Sequence, residues 1–220
     1  MQEAIDIIQS EFGQACLETF QMVAISMIAA AIVGTALGLV LHLTSNPLFF
    51  KNRAINSITG TIVNIIRSMP FIILIIVLIP VARLIVGTSI GATAASVSLS
   101  IASIAFFARL VEGAFSEVDK GVIEAAVATG ASTWLIIRKV LFVEATPSLI
   151  RALTVTFVSI IGYSAMAGAV GGGGIGNLAI MYGYNRYMTE VLLFMVVVLI
   201  IIVQLGQWIG DRIALAFTKK

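Results

Sequence analysis

Apolar residues run through this chain in long uncharged blocks separated by short charged clusters. Between Glu18 and Lys51 no Asp, Glu, Lys or Arg occurs, and Phe20–Leu43 reads as a first membrane span. A helix needs roughly 20 apolar residues, at ~1.5 Å each, to cross a ~30 Å hydrocarbon core. Four further blocks meet that need: residues 58–79, interrupted by Arg67 and Pro70; residues 88–109, rich in Ala, Ser, Thr and Gly; residues 147–170; and residues 191–209. The pattern predicts an all-α, polytopic membrane protein with five transmembrane helices, forming one domain over residues 1–220.

Composition agrees. Of 220 residues 60% are hydrophobic and only 11% charged, where a soluble domain carries about 25% charged residues. Mean hydropathy is +1.09. So much apolar surface cannot be hidden in one soluble core. Cys16 is the single cysteine, so no internal disulfide forms, and a net charge of +2 is too small to suggest nucleic acid as a partner. Residues 1–19 carry Glu3, Asp6, Glu11 and Glu18 but no Lys or Arg. A secretory signal begins with a basic region, so the first helix is expected to stay in the mature chain.

Positive charge near spans stays on the cytoplasmic side. With the N-terminus outside, Lys51, Arg53, Lys120, Arg138, Lys139, Arg212, Lys219 and Lys220 fall in cytoplasmic segments. Arg67, Arg109 and Arg151 are expected near the cytoplasmic ends of their helices, and only Arg83 and Arg186 fall outside. The predicted topology is N-terminus out, C-terminus in.

One connection, residues 112–146, is amphipathic and charged. Val122–Thr129 reads as a short helix with Gly130 as its left-handed stop. Ser132 caps a predicted second helix through Phe142, with Trp134, Ile137 and Leu141 on one face. Thr146-Pro147 then supplies the cap and first-turn proline of the fourth span. Two readings fit this pair of helices: a docking platform for a cytoplasmic partner, or an interfacial hairpin lying on lipid.

Glu124-Ala125-Ala126 followed by Gly130, in a cytoplasmic loop before a late span, resembles the EAA loop of ABC importer permeases. That loop ends in Ile-x-Leu-Pro in the family, whereas this chain has Val140-Leu141-Phe142-Val143. Asn64–Ile72, Ile85–Gly91, Ile161–Val170 running into Gly171–Gly176, and Tyr182-Gly183-Tyr184 are similar to permeases of methionine importers. The likeness covers most of the chain after the first span and is poor over the first fifty residues. It implies the type I importer permease fold in a bacterial cytoplasmic (inner) membrane, with two such subunits paired as a homodimer. It also implies two cytoplasmic ATPase subunits, which bind the ATP so that this chain needs no cofactor, and an external methionine-binding protein. Glu124, Ala125, Ala126 and Gly130 would then form the coupling helix. Tyr163, Ser164, Met166 and Met69 would screen the passage. A permease for another amino acid or small peptide-like solute is the alternative.

Several residues have a plainer reading beside the functional one. Gly171–Gly174 with Gly176 lacks the strand, helix and Lys-Ser/Thr pair of a phosphate loop, so helix termination with close packing is expected. Met166, among Ala165, Ala167 and Gly168, is either an external gate paired across two subunits or ordinary helix packing. Arg67 faces either a pathway or, by snorkelling, the headgroups. Pro70 kinks the second span. His42, the sole histidine, has no Cys, Asp or Glu cluster beside it, so no metal site is expected. Gly162-Tyr163-Ser164 faintly resembles a serine nucleophile, but its base would have to be His42 at the opposite face, so no catalytic residue is expected. An ion-coupled carrier would carry midplane charges or internal repeats, and neither is visible.

Overall fold

The computed structural model describes residues 2–218, so Met1 and two of the basic residues in the topology argument, Lys219 and Lys220, lie outside the described residues. Those described fold entirely into helices and their connections. We label them α1 (Gln2–Ser45), α2 (Arg53–Ser68), α3 (Phe71–Val77), α4 (Ile79–Val86), α5 (Ala92–Ser116), α6 (Lys120–Ala128), α7 (Thr133–Gly168), α8 (Gly174–Leu178) and α9 (Thr189–Thr218). Wide π-turns interrupt α1 at Ala30–Gly34 and α7 at Ile137–Leu141, and a third, Ala179–Tyr184, continues α8. Four helices, α1, α5, α7 and α9, are long and apolar enough to cross a bilayer, and the bent pair α2 and α3 makes a fifth if counted as one broken span.

The central post is α5. Its inward positions are mostly Ala and Ser, and 61% of its most apolar window is buried, against 6% in α9. Small residues let neighbours approach to backbone distance. A side chain at Gly38 of α1 would lie 2.6 Å from the Ala108 carbonyl of α5, and one at Gly34 would lie 3.0 Å from the Phe107 ring. Ser103 of α5 donates to the Ser26 carbonyl of α1 at 3.2 Å. The pairing of α7 with α9 repeats the device. Gly206 lies against Phe157 and Gly210 against Thr154, each closer than any side chain would permit.

Every helix outruns or divides its expected span. The first helix begins at Gln2 rather than near Phe20. Its acidic N-terminal half is helical beyond the apolar block and packs on the segment after α7, where Tyr182 donates to Glu11. The second span is three pieces, not one kinked helix: α2 and α3 meet at 108°, and α4 continues to Val86. Pro70 disfavours helical geometry at the residue before it, and Met69 is accordingly extended (φ −81°, ψ 133°). The third helix starts after Gly87 and Gly91, both at positive φ, and passes through Arg109 to Ser116. The fifth extends to Thr218.

The second short helix of the 112–146 connection is corrected too. Ser132 does accept a bond from the Leu135 amide, but the helix it caps does not stop at Phe142. It runs on through Pro147 to Gly168, and the Thr146 hydroxyl bonds back to the Phe142 carbonyl rather than capping anything. Proline removes one helix bond. Burial of Leu141 and Ala145 before it and Ala152 after it, in one apolar cluster, holds the chain helical across the gap. Ile137 and Leu141 are both buried, but Trp134 is 69% exposed.

The glycine run after α7 terminates the helix and packs closely, as expected. Gly171, Gly173 and Gly174 have positive φ. Glu18 of α1 accepts from the Gly174 amide at 2.7 Å, and the Thr19 hydroxyl accepts from the Ile175 amide at 2.9 Å. The amides that open α8 are thus occupied by side chains from α1.

The tight α7–α9 contact yields a direct test. Gly206→Leu drives a side chain into the Phe157 ring and is expected to lower stability by roughly 1–3 kcal/mol. Gly13→Ala, with nothing within 4 Å of the added carbon, is expected to leave stability unchanged or raise it by up to ~1 kcal/mol. Thermal unfolding in detergent measures both.

Candidate coupling surface and pathway cleft

At one end of the bundle α6 stands off α5 on a short connection. Asp119 accepts from the Gly121 amide at 2.6 Å and caps α6, while Val118 and Ile123 are buried beside Phe115, Ile136 and Leu141. Those anchors turn the opposite face outward. Glu124 and Ala125 are exposed and Ala126 is half-buried. Gly130 ends the helix at φ +79°, with its amide donating to the Val127 carbonyl at 3.0 Å and the Ala131 amide to the Ala126 carbonyl at 3.1 Å. A β-branched residue is strained in that left-handed conformation. Exposed Val122, Val127, Trp134 and Leu135 surround the outward face. The result is a small-residue ridge, capped by Asp119 at one end, stopped by Gly130 at the other and rimmed by apolar side chains.

Behind this ridge a cavity of about 510 Å³ separates α6 from the end of α1, with His42, Ser116, Lys120 and Glu124 on its walls. The Ser116 hydroxyl gives its proton to the Glu112 carbonyl. His42 Nδ1 lies 3.4 Å from Ser116 Oγ. His42 is committed here, at the α6 end, and Ser164 lies near the far end of α7, so the two do not form a nucleophile–base pair. Among the described residues no group of three His, Cys, Asp or Glu side chains could hold a metal.

The break between α2 and α3 opens a second cavity, a cleft of about 160 Å³ against α5 and α7. Two predicted pathway residues meet there. Met69 sits at the break, and Tyr163 of α7 stacks on Phe71 of α3 with ring centroids 4.6 Å apart and planes 14° from parallel. Ser164 is not with them. It is 2% exposed and its hydroxyl donates to the Ile161 carbonyl at 2.8 Å, facing into the bundle. Met166 is 49% exposed, on the same outward stripe of α7 as Gly162.

Arg67 is elsewhere than expected. α2 starts beside the end of α1, where the Asn52 amide bonds the Thr44 carbonyl, and Arg67 lies at its other end. Fourteen residues of helix separate it from Arg53, about 21 Å at 1.5 Å per residue. Its cleft neighbours Ala102 and Phe106 belong to the middle of α5. Arg67 therefore lies at the end of α2 away from the end of α1, beside the middle of α5. Arg109 is the charge that does sit toward the α6 end, tied to Glu112 at 2.6 Å, the Gly60 carbonyl at 3.1 Å and Asn64 at 3.0 Å. Phe71 and Phe106, which complete the cleft, gave no separate signal in the sequence. An apolar residue in an apolar block is marked only by the break beside it.

The profile of the family described as "Binding-protein-dependent transport system inner membrane component" matches residues 34–220. A protein of Pasteurella multocida named "Probable D-methionine transport system permease protein MetI" is 47% identical over 208 residues, covering 94% of this chain and 96% of its own. The "Methionine import system permease protein MetP" of Bacillus subtilis is 48% identical, covering 82% and 81%. Among solved structures, a chain of an inward-facing MetNI methionine ABC transporter superposes with a TM-score of 0.91 at 42% identity, covering 96% and 97%. A chain of an amino acid ABC transporter crystallised with histidines shares the fold, with a TM-score of 0.76 at 18% identity. The full-length likeness to membrane permeases and the match over residues 34–220 place the chain in the family of inner membrane components of binding-protein-dependent transport systems.

Proposed function

We propose that this protein is the membrane-spanning permease subunit of an ATP-driven methionine importer in a bacterial cytoplasmic membrane. The observation that carries the reading is the likeness over nearly the full length, on both sides, to proteins named as permeases of methionine transport. Two copies form the passage between them, because five helices are few to enclose an amino-acid pathway and a two-fold axis supplies the second wall. Two ATP-binding subunits dock on the α6 ridges from the cytoplasm and carry all ATP chemistry, so the permease itself needs no bound cofactor. A methionine-binding protein delivers the solute from outside, where the N-terminus lies.

Glu124, Ala125 and Ala126 seat in a groove of the ATPase, and Gly130 fixes the direction in which that contact pushes. The supporting geometry is the burial of Ile123 of α6 among Phe115 of α5 and Ile136 and Leu141 of α7, which makes α6 move with those helices rather than slide past them. Closure of the ATPase pair draws the two ridges together and rotates the helices as rigid bodies. Met69 and Tyr163 line the way. Met166, exposed on α7, meets its counterpart across the axis and closes the external side at rest, since a flexible thioether fills a narrow gap and leaves it without breaking hydrogen bonds.

A mild-detergent pull-down from native membranes tests the class. A nucleotide-binding ATPase recovered in equal stoichiometry is the expected result. The chain recovered alone, under conditions that keep other complexes intact, would favour an ion-coupled carrier. Uptake into proteoliposomes then separates methionine from another amino acid or a small peptide-like solute. Gly130→Val should leave the complex assembled with ATP hydrolysis no longer stimulated by the binding protein, and normal stimulation in that variant counts against the coupling role. Met166→Ala should raise basal ATP hydrolysis or solute leak, and an unchanged basal state removes the gate.

A further inference from the structure

We infer that the cleft at the α2–α3 break is a weak transit site for the solute, with Arg67 receiving its carboxylate and the Phe71–Tyr163 stack receiving its apolar side chain. The inference rests on the permease reading and adds a substrate contact to it. An arginine at this depth is costly against lipid and persists where it lines a cavity or meets a charge. Arg67 lines the cleft, and it has no ion-pair partner: the sole ion pair among the described residues is Arg109–Glu112. Broken backbone in the middle of a membrane bundle is likewise tolerated where it borders a cavity, and the Met69–Pro70 break borders this one.

The walls divide by chemistry. Ile66, Met69, Phe71 and Leu74 present apolar surface from the broken span, Tyr163 closes the α7 side, and Arg67 is the one charge. That combination suits a zwitterion with an apolar side chain: the planar guanidinium pairs with a carboxylate in two-pronged fashion, and thioether against aromatic ring is a favourable contact. Among these walls no carboxylate faces the solute's ammonium group, so the site holds one end only and releases readily.

A separate cavity of about 310 Å³ lies between α5 and α7 toward the α6 end, bordered by Arg109, Glu117, Ser148 and Arg151. There Glu112 holds Arg109, while Glu117 accepts from the Ser148 hydroxyl at 2.6 Å. Arg67 is thus the sole charge lining its cleft, whereas carboxylates accompany the arginines of the other cavity.

Saturation-transfer NMR on the permease–ATPase complex in nanodiscs, without the binding protein, reads weak contact with the methionine S-methyl group. Free methionine at millimolar concentration should give a signal, and methioninamide, which lacks the carboxylate, a signal at least about fivefold weaker. Arg67→Ala should reduce the methionine signal by about tenfold, the loss of one charge-assisted hydrogen bond. Arg67→Lys, which keeps the charge but not the two-pronged geometry, should restore only part of it, and Arg83→Ala, on α4 away from the cleft, should match wild type. Co-purification of the ATPase with each variant shows that it has folded and assembled; if Arg67→Ala does not assemble, Arg67→Gln carries the same expectation. Equal signals for wild type and the assembled Arg67→Ala, or for methionine and its amide, overturn the site. A wild-type complex that imports no methionine overturns the substrate reading above instead, so the two failures are distinct.

Discussion

Helices in a bilayer gain little by hiding apolar surface from lipid that is equally apolar, so they associate where their backbones can come close. In this protein α5 supplies that closeness. Its Ala and Ser positions accept Gly34 and Gly38 of α1 on one side, and α7 packs along another. Two apolar clusters meet along it, one toward the α8 end around Met22 and Leu99, the other toward the α6 end around Phe107, Phe115 and Leu141. With α5 fixed, the remaining elements are free to be irregular without unfolding the bundle.

The irregularities are where the chemistry lies. The break at Met69–Pro70 interrupts a span that would otherwise pack smoothly, and the cost of unpaired backbone is tolerated because the gap borders a cleft. The positive φ at Gly130 turns the chain sharply so that α6 lies off the bundle with Glu124 and Ala125 outward. At the far end Glu18 and Thr19 satisfy the amides opening α8, tying the acidic half of α1 to the glycine run. That half precedes the residues matched by the family profile, yet it braces a segment inside them.

Much of this was legible in the residue pattern. Long uncharged blocks announce membrane helices, and a helix-length run of small residues between Arg83 and Arg109 marks a buried one. Gly130 after an alanine-rich amphipathic turn marks a left-handed stop, and the structure has it. The helix ends were not legible, because hydropathy reports where lipid is and not where helix stops: α1 extends back to Gln2 and α9 on to Thr218. Thr146-Pro147 looked like a helix start for a sound local reason, and packing of Leu141, Ala145 and Ala152 overrode it.

The sequence by itself determined the class of the protein, the number of apolar blocks and the outward ridge of α6, since composition, charge spacing and a left-handed glycine act locally. Which pathway residues share a cavity was decided by tertiary structure alone. Ser164 and Tyr163 are neighbours in the chain, yet one donates to its own helix and the other stacks on Phe71, because a helix turns adjacent side chains about 100° apart. Arg67 was expected near the cytoplasmic end of its helix. Only the packing of α2 against the middle of α5, with the chain bent by 108° just beyond it, sets that charge beside a cleft, and no local rule contains that distance.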